Sequence, residues 1–269
     1  MNEIQQKLLE IAKEYIKVCE KLNLRYFAAG GTVLGAARHQ GFIPWDDDMD
    51  FQMPREDYEV FLKEGQKLLP SHLFIQTHKT DKKYLTPFAK IRDCNTTAID
   101  KYYSKLKINQ GLWIDVVPLD SLPKSHRKIK CINRIDERFL RRRYMPHRYK
   151  PLSKKGAIAN FLNKILFPSK TLAYKISQHL TLKYAKKNQS DIYWNNCESR
   201  VAFNLKKEWF NGYDLLPFED IQMRVPLNCD TYLSDHYGDW RKLPPENKRI
   251  TNHDFSIVDL EKPYTEYLK

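Results

Sequence analysis

Four aspartates in five residues, Asp46-Asp47-Asp48-Met49-Asp50, sit in an extended-looking and otherwise largely apolar stretch over residues 42–53. No other feature restricts the fold as much. On a strand, alternate side chains share a face, so Asp46, Asp48 and Asp50 converge while Asp47 points away. Three carboxylates on one ridge repel one another unless a cation joins them. Hard oxygen donors suit Mg²⁺ or Mn²⁺ better than zinc, and such an ion holds nucleotide phosphates and orients a leaving group. Upstream, Gly30-Gly31-Thr32 closes a short β-type run (24–29) and opens a helical one (32–38). A glycine pair lets the backbone approach a phosphate, and a helix N-terminus offers free N–H groups to it. Downstream, Asp115 stands between Ile114 and Val116 on a further apolar run. An acidic loop or a glycine turn is commonplace alone; their order sets them apart.

The rest of the chain supplies a scaffold. Ile4, Leu8, Ile11, Tyr15 and Val18 recur at helical spacing, predicting an amphipathic helix over 2–22. Residues 56–69 read as a second long helix, and 73–76, 88–92, 98–99 and 112–117 as short strands. Alternating helices and strands point to an α/β or α+β sheet domain. Residues 124–190 differ: they have helical periodicity, and 19 Lys and Arg face only Asp136 and Glu137. The whole chain carries 46 basic against 33 acidic residues, net +13, so everything outside that stretch is mildly acidic. Residues 230–240 predict a helix, followed by Leu243-Pro244-Pro245 and an extended tail. Five dispersed cysteines suggest neither a disulfide framework nor a zinc knuckle and fit a reducing cytoplasm. Charges at Glu3, Lys7, Glu10, Lys13 and Lys17 interrupt any signal-peptide core, and no apolar run reaches the roughly 20 residues of a spanning helix.

The stretch Gly30-Gly31-Thr32-Val33-Leu34-Gly35-Ala36-Ala37-Arg38-His39-Gln40-Gly41-Phe42-Ile43-Pro44-Trp45-Asp46-Asp47-Asp48-Met49-Asp50 resembles the signature of the LicD family, which includes bacterial phosphocholine transferases and is related to the fukutin group. Lys90-Ile91-Arg92-Asp93 with Thr96, Trp113-Ile114-Asp115-Val116-Val117-Pro118-Leu119-Asp120, Tyr237-Gly238-Asp239-Trp240, Pro244-Pro245 and His253 follow in that family's order. The resemblance implies an α+β fold: a nucleotidyltransferase-like mixed β-sheet core with flanking helices and a basic helical insertion. The catalytic core would span 1–123, the insertion 124–190, and 191–269 would complete the catalytic domain. The implied reaction moves a phospho-alcohol, foremost phosphocholine, from a CDP-linked donor to a sugar hydroxyl of a cell-envelope glycan such as lipopolysaccharide or teichoic acid, or of its lipid-linked precursor, releasing CMP.

By that similarity Asp46, Asp48 and Asp50 are metal ligands for Mg²⁺ or Mn²⁺, with Asp48 and Asp50 also catalytic. Asp115 is the third catalytic carboxylate, completing the metal site or taking the proton from the attacking hydroxyl. Gly30, Gly31 and Thr32 line the donor, and Arg38, Lys90 and Arg92 grip phosphate oxygens. His253 is an acid/base or phosphate contact. Blander roles compete: Asp115 as the buried partner of an arginine, Arg38 and Arg92 as counterions of the acidic cluster, His253 as a surface histidine. Trp45, Trp113 and Tyr237 either box in a cytosine or choline, or simply pack the core.

Two other functions fit the same residues. One is nucleotidyl transfer from an NTP to a small molecule or RNA end, although no RNA-binding module accompanies it. The other is a non-enzymatic basic adapter on anionic membrane. No G-x-S-x-G elbow supports nucleophilic-serine chemistry. Because the positive charge lies in 124–190 among apolar residues, it suits an anionic membrane surface bearing the acceptor better than a specific nucleic acid. The expected location is the cytoplasm, peripheral on the inner face of the membrane.

Overall fold

The first helix is fixed at its start by a reciprocal cap. Asn2 Oδ1 accepts from Gln5 N–H at 2.9 Å, and Gln5 Oε1 accepts from Asn2 N–H at 3.0 Å. The helix, α1, runs Glu3–Lys21 and buries Leu8, Ile11, Tyr15 and Val18, the periodic face of the sequence. In the computed structural model, residues 1–101, 103–121, 158, 161–162, 165, 169–185, 191–195, 205–251 and 253–268 are described. Most of the basic stretch 124–190, and with it the expectation of a helical insertion and a membrane-facing surface there, lies outside the described residues. Its described end forms helix α4, Lys170–Ala185.

The central sheet has the order β1 (Phe27–Ala28), β2 (Asp50–Pro54), β6 (Leu112–Ser121), β4 (Ala89–Asp93), β3 (Leu73–Gln76). Among the described strands only the β2–β6 pair is parallel; β1–β2, β6–β4 and β4–β3 are antiparallel. At its far end β6 also pairs with β7 (Ile192–Asn195), which pairs with β8 (Leu205–Lys206). The connection between β1 and β2 contains α2 (Gly30–His39), and α3 (Arg55–Glu64) follows β2. One face of the sheet meets α1 in an aromatic cluster, where the Tyr15 ring lies 4.8 Å from Phe51, 5.3 Å from Phe61 and 5.7 Å from Tyr26. Edge-on packing of this kind adds to the burial of large apolar surfaces. The architecture is a mixed α+β one.

The extended stretch predicted over 42–53 is shorter as a strand. Asp46 N–H donates to Ile43 O at 2.9 Å, closing a turn at Pro44-Trp45, and ladder pairing starts only at Asp50. The helix predicted over 56–69 is α3 plus a 3₁₀ turn, Gly65–Lys67. The C-terminal part supplies a hairpin of β9 (Tyr213–Phe218) and β10 (Ile221–Pro226), then helix α5 (Cys229–Tyr237) and strand β11 (Phe255–Asp259). β11 pairs antiparallel with β5 (Thr97–Asp100), returning the tail to the front of the sheet.

Candidate active site

Strand register assembles the centre of the site. Asp50 is opposite Asp115 across the parallel β2–β6 ladder, and Asp115 is opposite Lys90 across the antiparallel β6–β4 ladder. Directly paired residues share a face, so the three form one row over three strands. Asp50 is held from both sides of its backbone: its N–H donates to Thr32 Oγ1 at 2.9 Å, and its carbonyl accepts from Ala29 N–H at 2.9 Å. Thr32 therefore ties the start of α2 to the start of β2. Met49 is fully buried, which anchors the alternation that turns Asp48 and Asp50 to the open side.

The glycine pair lies against these carboxylates. Gly30 opens α2 at φ +51°, a left-handed conformation that favours glycine. A Cβ on Gly31 would come within 2.7 Å of Asp46 Oδ2, and one on Gly30 within 3.4 Å of Asp50 Oδ2. Any other residue at 31 would displace Asp46, so the glycines keep the positive end of α2 beside the acidic row. The Asp46 backbone has its own support: buried Gln5 donates through Nε2 to Asp46 O at 2.9 Å and to Ile43 O at 3.2 Å.

The row is electrostatically loaded. Burial, then repulsion from Asp46, pushes Asp48 up to about 8; a hydrogen bond joins these two carboxyl groups. Burial also raises Asp46, to about 6, with Asp50 and Asp47 repelling it. Asp50 is held well above the usual carboxylate range by burial and by Asp48 and Asp115, against the pull of Lys90. Among the described residues, no three carboxylate, imidazole or thiol side chains converge on one point as a closed metal cage. The donor set nevertheless fits a divalent cation of the Mg²⁺ type, which takes one or two carboxylates and completes its shell with substrate phosphates and water. Such an ion would draw its one or two carboxylates from among Asp46, Asp48 and Asp50.

Asp115 and its neighbours form the other half of the site. Lys90 Nζ donates to Asp115 Oδ1 at 2.5 Å, and both side chains are largely buried. Lys90 also lies 4.3 Å from the Trp113 ring centre, and Arg92 lies 4.4 Å from the same ring. The Trp113 indole N–H is buried with no hydrogen-bond partner among the described residues. Arg92 is buried and donates to Gln76 Oε1 at 2.8 Å and Gly111 O at 2.7 Å, so these protein groups already occupy two of its donors. Asp115 is thus paired across strands with Lys90, and not with the arginine that its blander reading expected.

The tail closes the opposite side. His253 Nδ1 is 2.9 Å from Asp47 Oδ1, and Thr251 Oγ1 donates to Asp47 Oδ2. Burial lowers the His253 pKa, but the hydrogen bond to Asp47 and the charges of Asp48 and Asp47 outweigh it and leave the imidazole raised. Its ring stacks on Phe255 at 5.4 Å and meets Trp113 edge-on at 5.3 Å. Asp47, which alternation points away from the ridge, is thereby the anchor of the C-terminal segment. Arg38 stands near the other end of α2, about 12 Å along the axis from Gly30. Its Nη1 donates to Trp240 O at 2.9 Å, and burial lowers its pKa. It does not join Asp115 and Lys90 in the row. Sequence reasoning passed over Gln5, Asp47 and Thr251; only Asp47 carried a signal, its place within the acidic string.

The profile of the LicD/FKTN/FKRP nucleotidyltransferase domain matches residues 23–154. The chain is 32% identical to the lipopolysaccharide cholinephosphotransferase LicD of Haemophilus influenzae over 266 residues, covering 94% of this chain and 96% of that relative. It is 46% identical over 50 residues to the ribitol 5-phosphate transferase FKRP of Homo sapiens, covering 19% of this chain and 10% of that protein. An uncharacterized protein of Rickettsia prowazekii, RP689, is 30% identical over 118 residues, covering 44% of this chain and 40% of the relative. With a relative matched over nearly its full length and the acidic row in place, the chain belongs to the LicD family and is a LicD-type phosphotransferase.

Proposed function

We propose that this enzyme transfers a phospho-alcohol, phosphocholine foremost, from a CDP-linked donor to a sugar hydroxyl of a cell-envelope glycan or its lipid-linked precursor, on a nucleotidyltransferase-type sheet. The observation that carries the reading is the row Asp50, Asp115 and Lys90 with Asp46 and Asp48 beside it, in a chain similar throughout to a cholinephosphotransferase. A bound divalent cation would neutralise charge on the donor's phosphates. The chain's own residues supply the remainder. Asp115 offers the oxygen not bonded to Lys90 to the attacking hydroxyl and takes its proton. The hydroxyl oxygen forms a bond to the phosphorus bearing the alcohol, the bond from that phosphorus to the bridging oxygen breaks, and CMP leaves. Lys90 fixes the position of Asp115 through their hydrogen bond. The Asp47–His253 contact closes the tail over the site and limits water, the competing acceptor.

No helix among the described residues is long and apolar enough to cross a membrane. A membrane-borne acceptor would be met through the basic stretch 124–190, as a peripheral contact. The test is CMP release from CDP-choline by purified protein with Mg²⁺ and glycan acceptors, with CDP-ribitol in parallel. Release abolished by EDTA and by Asp48→Asn supports the reading; release indifferent to both overturns it.

A further inference from the structure

Two arginines beside the acidic string have no acid of their own. Arg38, in the last turn of α2, donates through Nη1 to Trp240 O at 2.9 Å and through Nε to His39 Nδ1 at 3.4 Å. Arg249, in the C-terminal segment, donates through Nε to Pro244 O at 2.9 Å. Nη2 of Arg38 and both terminal nitrogens of Arg249 have no protein acceptor among the described residues, and neither guanidinium meets a carboxylate there. Both side chains are half-buried. Burial first, and then the like charge of Arg249, hold the Arg38 pKa below its ordinary value, so the two cations are near neighbours. Like charges kept together in a partly desolvated place repel, and an anion between them removes the penalty. Asp46 and Asp47, next along the chain from Trp45, are engaged elsewhere: Asp46 shares a hydrogen bond with Asp48, and Asp47 is bonded to Thr251 and His253. The missing counterion therefore comes from outside the described chain.

Contacts tie the pair to the reaction centre. Arg249 lies 5.6 Å from the ring centre of Trp45, the residue before Asp46, and His39, bonded to Arg38, meets the same ring edge-on at 6.3 Å. Two residues beyond Arg249, Thr251 is bonded to Asp47. Tyr237 links the pair to the glycines: it is close enough to act on the charge of Arg38, and its hydroxyl stands 3.9 Å from where a Gly30 Cβ would be. A guanidinium meets two phosphate oxygens at once, so phosphate is the anion that fits, and the donor carries two. Asp115 meets Asp50 from β6, whereas α2 meets Asp50 through Gly30 and Thr32. With Asp115 as the base for the attacking hydroxyl, in-line displacement puts the leaving oxygen on the far side of phosphorus, toward α2. As its bond breaks, that oxygen keeps the electron pair and the phosphate of CMP gains a negative charge. We propose that Arg38 and Arg249 form a phosphate subsite beside the acidic row, which binds the nucleotide-side phosphate of the donor and neutralises the charge it gains on leaving. This rests on the phospho-alcohol transfer reading above.

The experiment has a binding arm and a kinetic arm. Calorimetric titration of the full chain in Mg²⁺ with CMP, cytidine and glucose 6-phosphate compares a nucleotide's phosphate with no phosphate and with a sugar's phosphate. Arg249→Gln and Arg38→Gln, each checked for an unchanged melting temperature, should weaken CMP binding about tenfold, the loss of a charge-assisted hydrogen bond, and leave cytidine binding as it was. Arg249→Lys, which keeps the charge and loses the planar fork, should fall between wild type and Arg249→Gln. In turnover of CDP-choline the two glutamine variants should lower kcat about 10²-fold, the effect of removing a group that stabilises developing charge, with the acceptor KM unchanged. No CMP binding by the wild type, or CMP binding that neither glutamine variant weakens, overturns the subsite. A loss confined to glucose 6-phosphate also overturns it, because the arginines would then serve the acceptor. CMP binding weakened by the variants, in a chain that turns over no CDP-linked donor, supports the subsite and overturns the transfer reading. Turnover of CDP-choline with kcat and donor KM unchanged in both variants overturns the subsite alone.

Discussion

Asp115 and Asp120 stand five residues apart on β6, in the same run Ile114-Asp115-Val116-Val117-Pro118-Leu119-Asp120, yet they face different environments. Asp120 is fully buried, and Arg55 answers both of its oxygens, Nε to Oδ1 at 2.7 Å and Nη2 to Oδ2 at 2.6 Å. Arg55 in turn lies 5.0 Å from the Tyr58 ring and bonds Glu59. Asp115 has Lys90 on one oxygen only and shares its row with Asp50, a carboxylate that repels it. A bidentate planar pair fixes geometry and satisfies the acid completely. A single ammonium holds an acid in place and leaves it an oxygen with which to act. The distinction extends to the whole acidic string: Asp47 is satisfied by Thr251 and His253, while Asp46, Asp48 and Asp50 are raised by burial and by one another. Satisfied carboxylates hold this fold together, and unsatisfied ones are available for chemistry.

Substitutions that keep shape and remove charge test that division. Asp115→Asn and Asp48→Asn should each lower turnover by about 10²–10⁴-fold, the range for losing a proton acceptor or a charge-positioning group. Asp48→Asn should not lower the metal-free melting temperature, because it relieves a buried acid raised by its neighbours, whereas Asp115→Asn also takes the partner from buried Lys90 and lowers it; a clear drop for Asp48→Asn would break the comparison. Asp120→Asn should do the reverse. It leaves Arg55 buried without its full partner, at a cost of about 3–5 kcal/mol, which for a chain of this size lowers Tm by roughly 10 °C. Activity per folded molecule, measured below the transition, should persist. If Asp120→Asn melts like the wild type but loses turnover, the two acids have been assigned the wrong way round.

Much of this was legible in the sequence where the cause is local. The α1 periodicity, the glycine break at 30–31 and the runs 73–76 and 112–117 all fold as their patterns demand, because burial of alternate or helically spaced side chains leaves little choice. The acidic string was legible as a cluster of mutually repelling acids, but not as one strand ridge, because a turn at Pro44-Trp45 delays ladder pairing to Asp50. Contacts made across the chain were not. The pairing of Lys90 with Asp115 depends on strand register, as do the bonds of Arg92 to Gln76 and Gly111. The β9–β10 hairpin gave no turn signal, because Glu219 takes φ +53° where glycine or asparagine is usual. Its carboxylate accepts from Phe42 N–H at 3.0 Å, and its own N–H donates to Gln40 O at 2.9 Å. That conformation is held by tertiary bonds to the end of α2, which no local pattern announces.

A smaller effect tests how firmly the reactive acids are placed. Gln5→Leu keeps the volume of a buried residue and leaves the carbonyls of Ile43 and Asp46 without their donor. The expected cost is about 1–3 kcal/mol of stability. Turnover should also fall, within roughly tenfold, because Asp46 loses its backbone support while the chemistry remains. Melting and steady-state kinetics on the same preparation read both. A variant that loses stability with turnover intact would show that α1 serves the core alone, and that the row is positioned by β2 and β6 without it.

The smallest effect isolates Asp47, the one acid of the string that is satisfied. Burial pulls His253 down, and the Asp47 hydrogen bond with the charges of Asp48 and Asp47 reverses that, so the folded imidazole titrates above its ordinary value. A raised folded pKa means that the protonated clamp contributes its stability in full below the unfolded value, and that this contribution is lost as pH rises through the folded one. Asp47→Asn removes the hydrogen-bonded charge, and burial then has less to oppose it, so the His253 midpoint should move down. The measurement is an NMR pH titration of the imidazole ring protons in metal-free protein. An unmoved midpoint would mean that the other carboxylates, not Asp47, hold the tail's charge. Asp47 would then belong with the reactive acids, and the division between satisfied and unsatisfied carboxylates would fail at the residue where the two kinds adjoin.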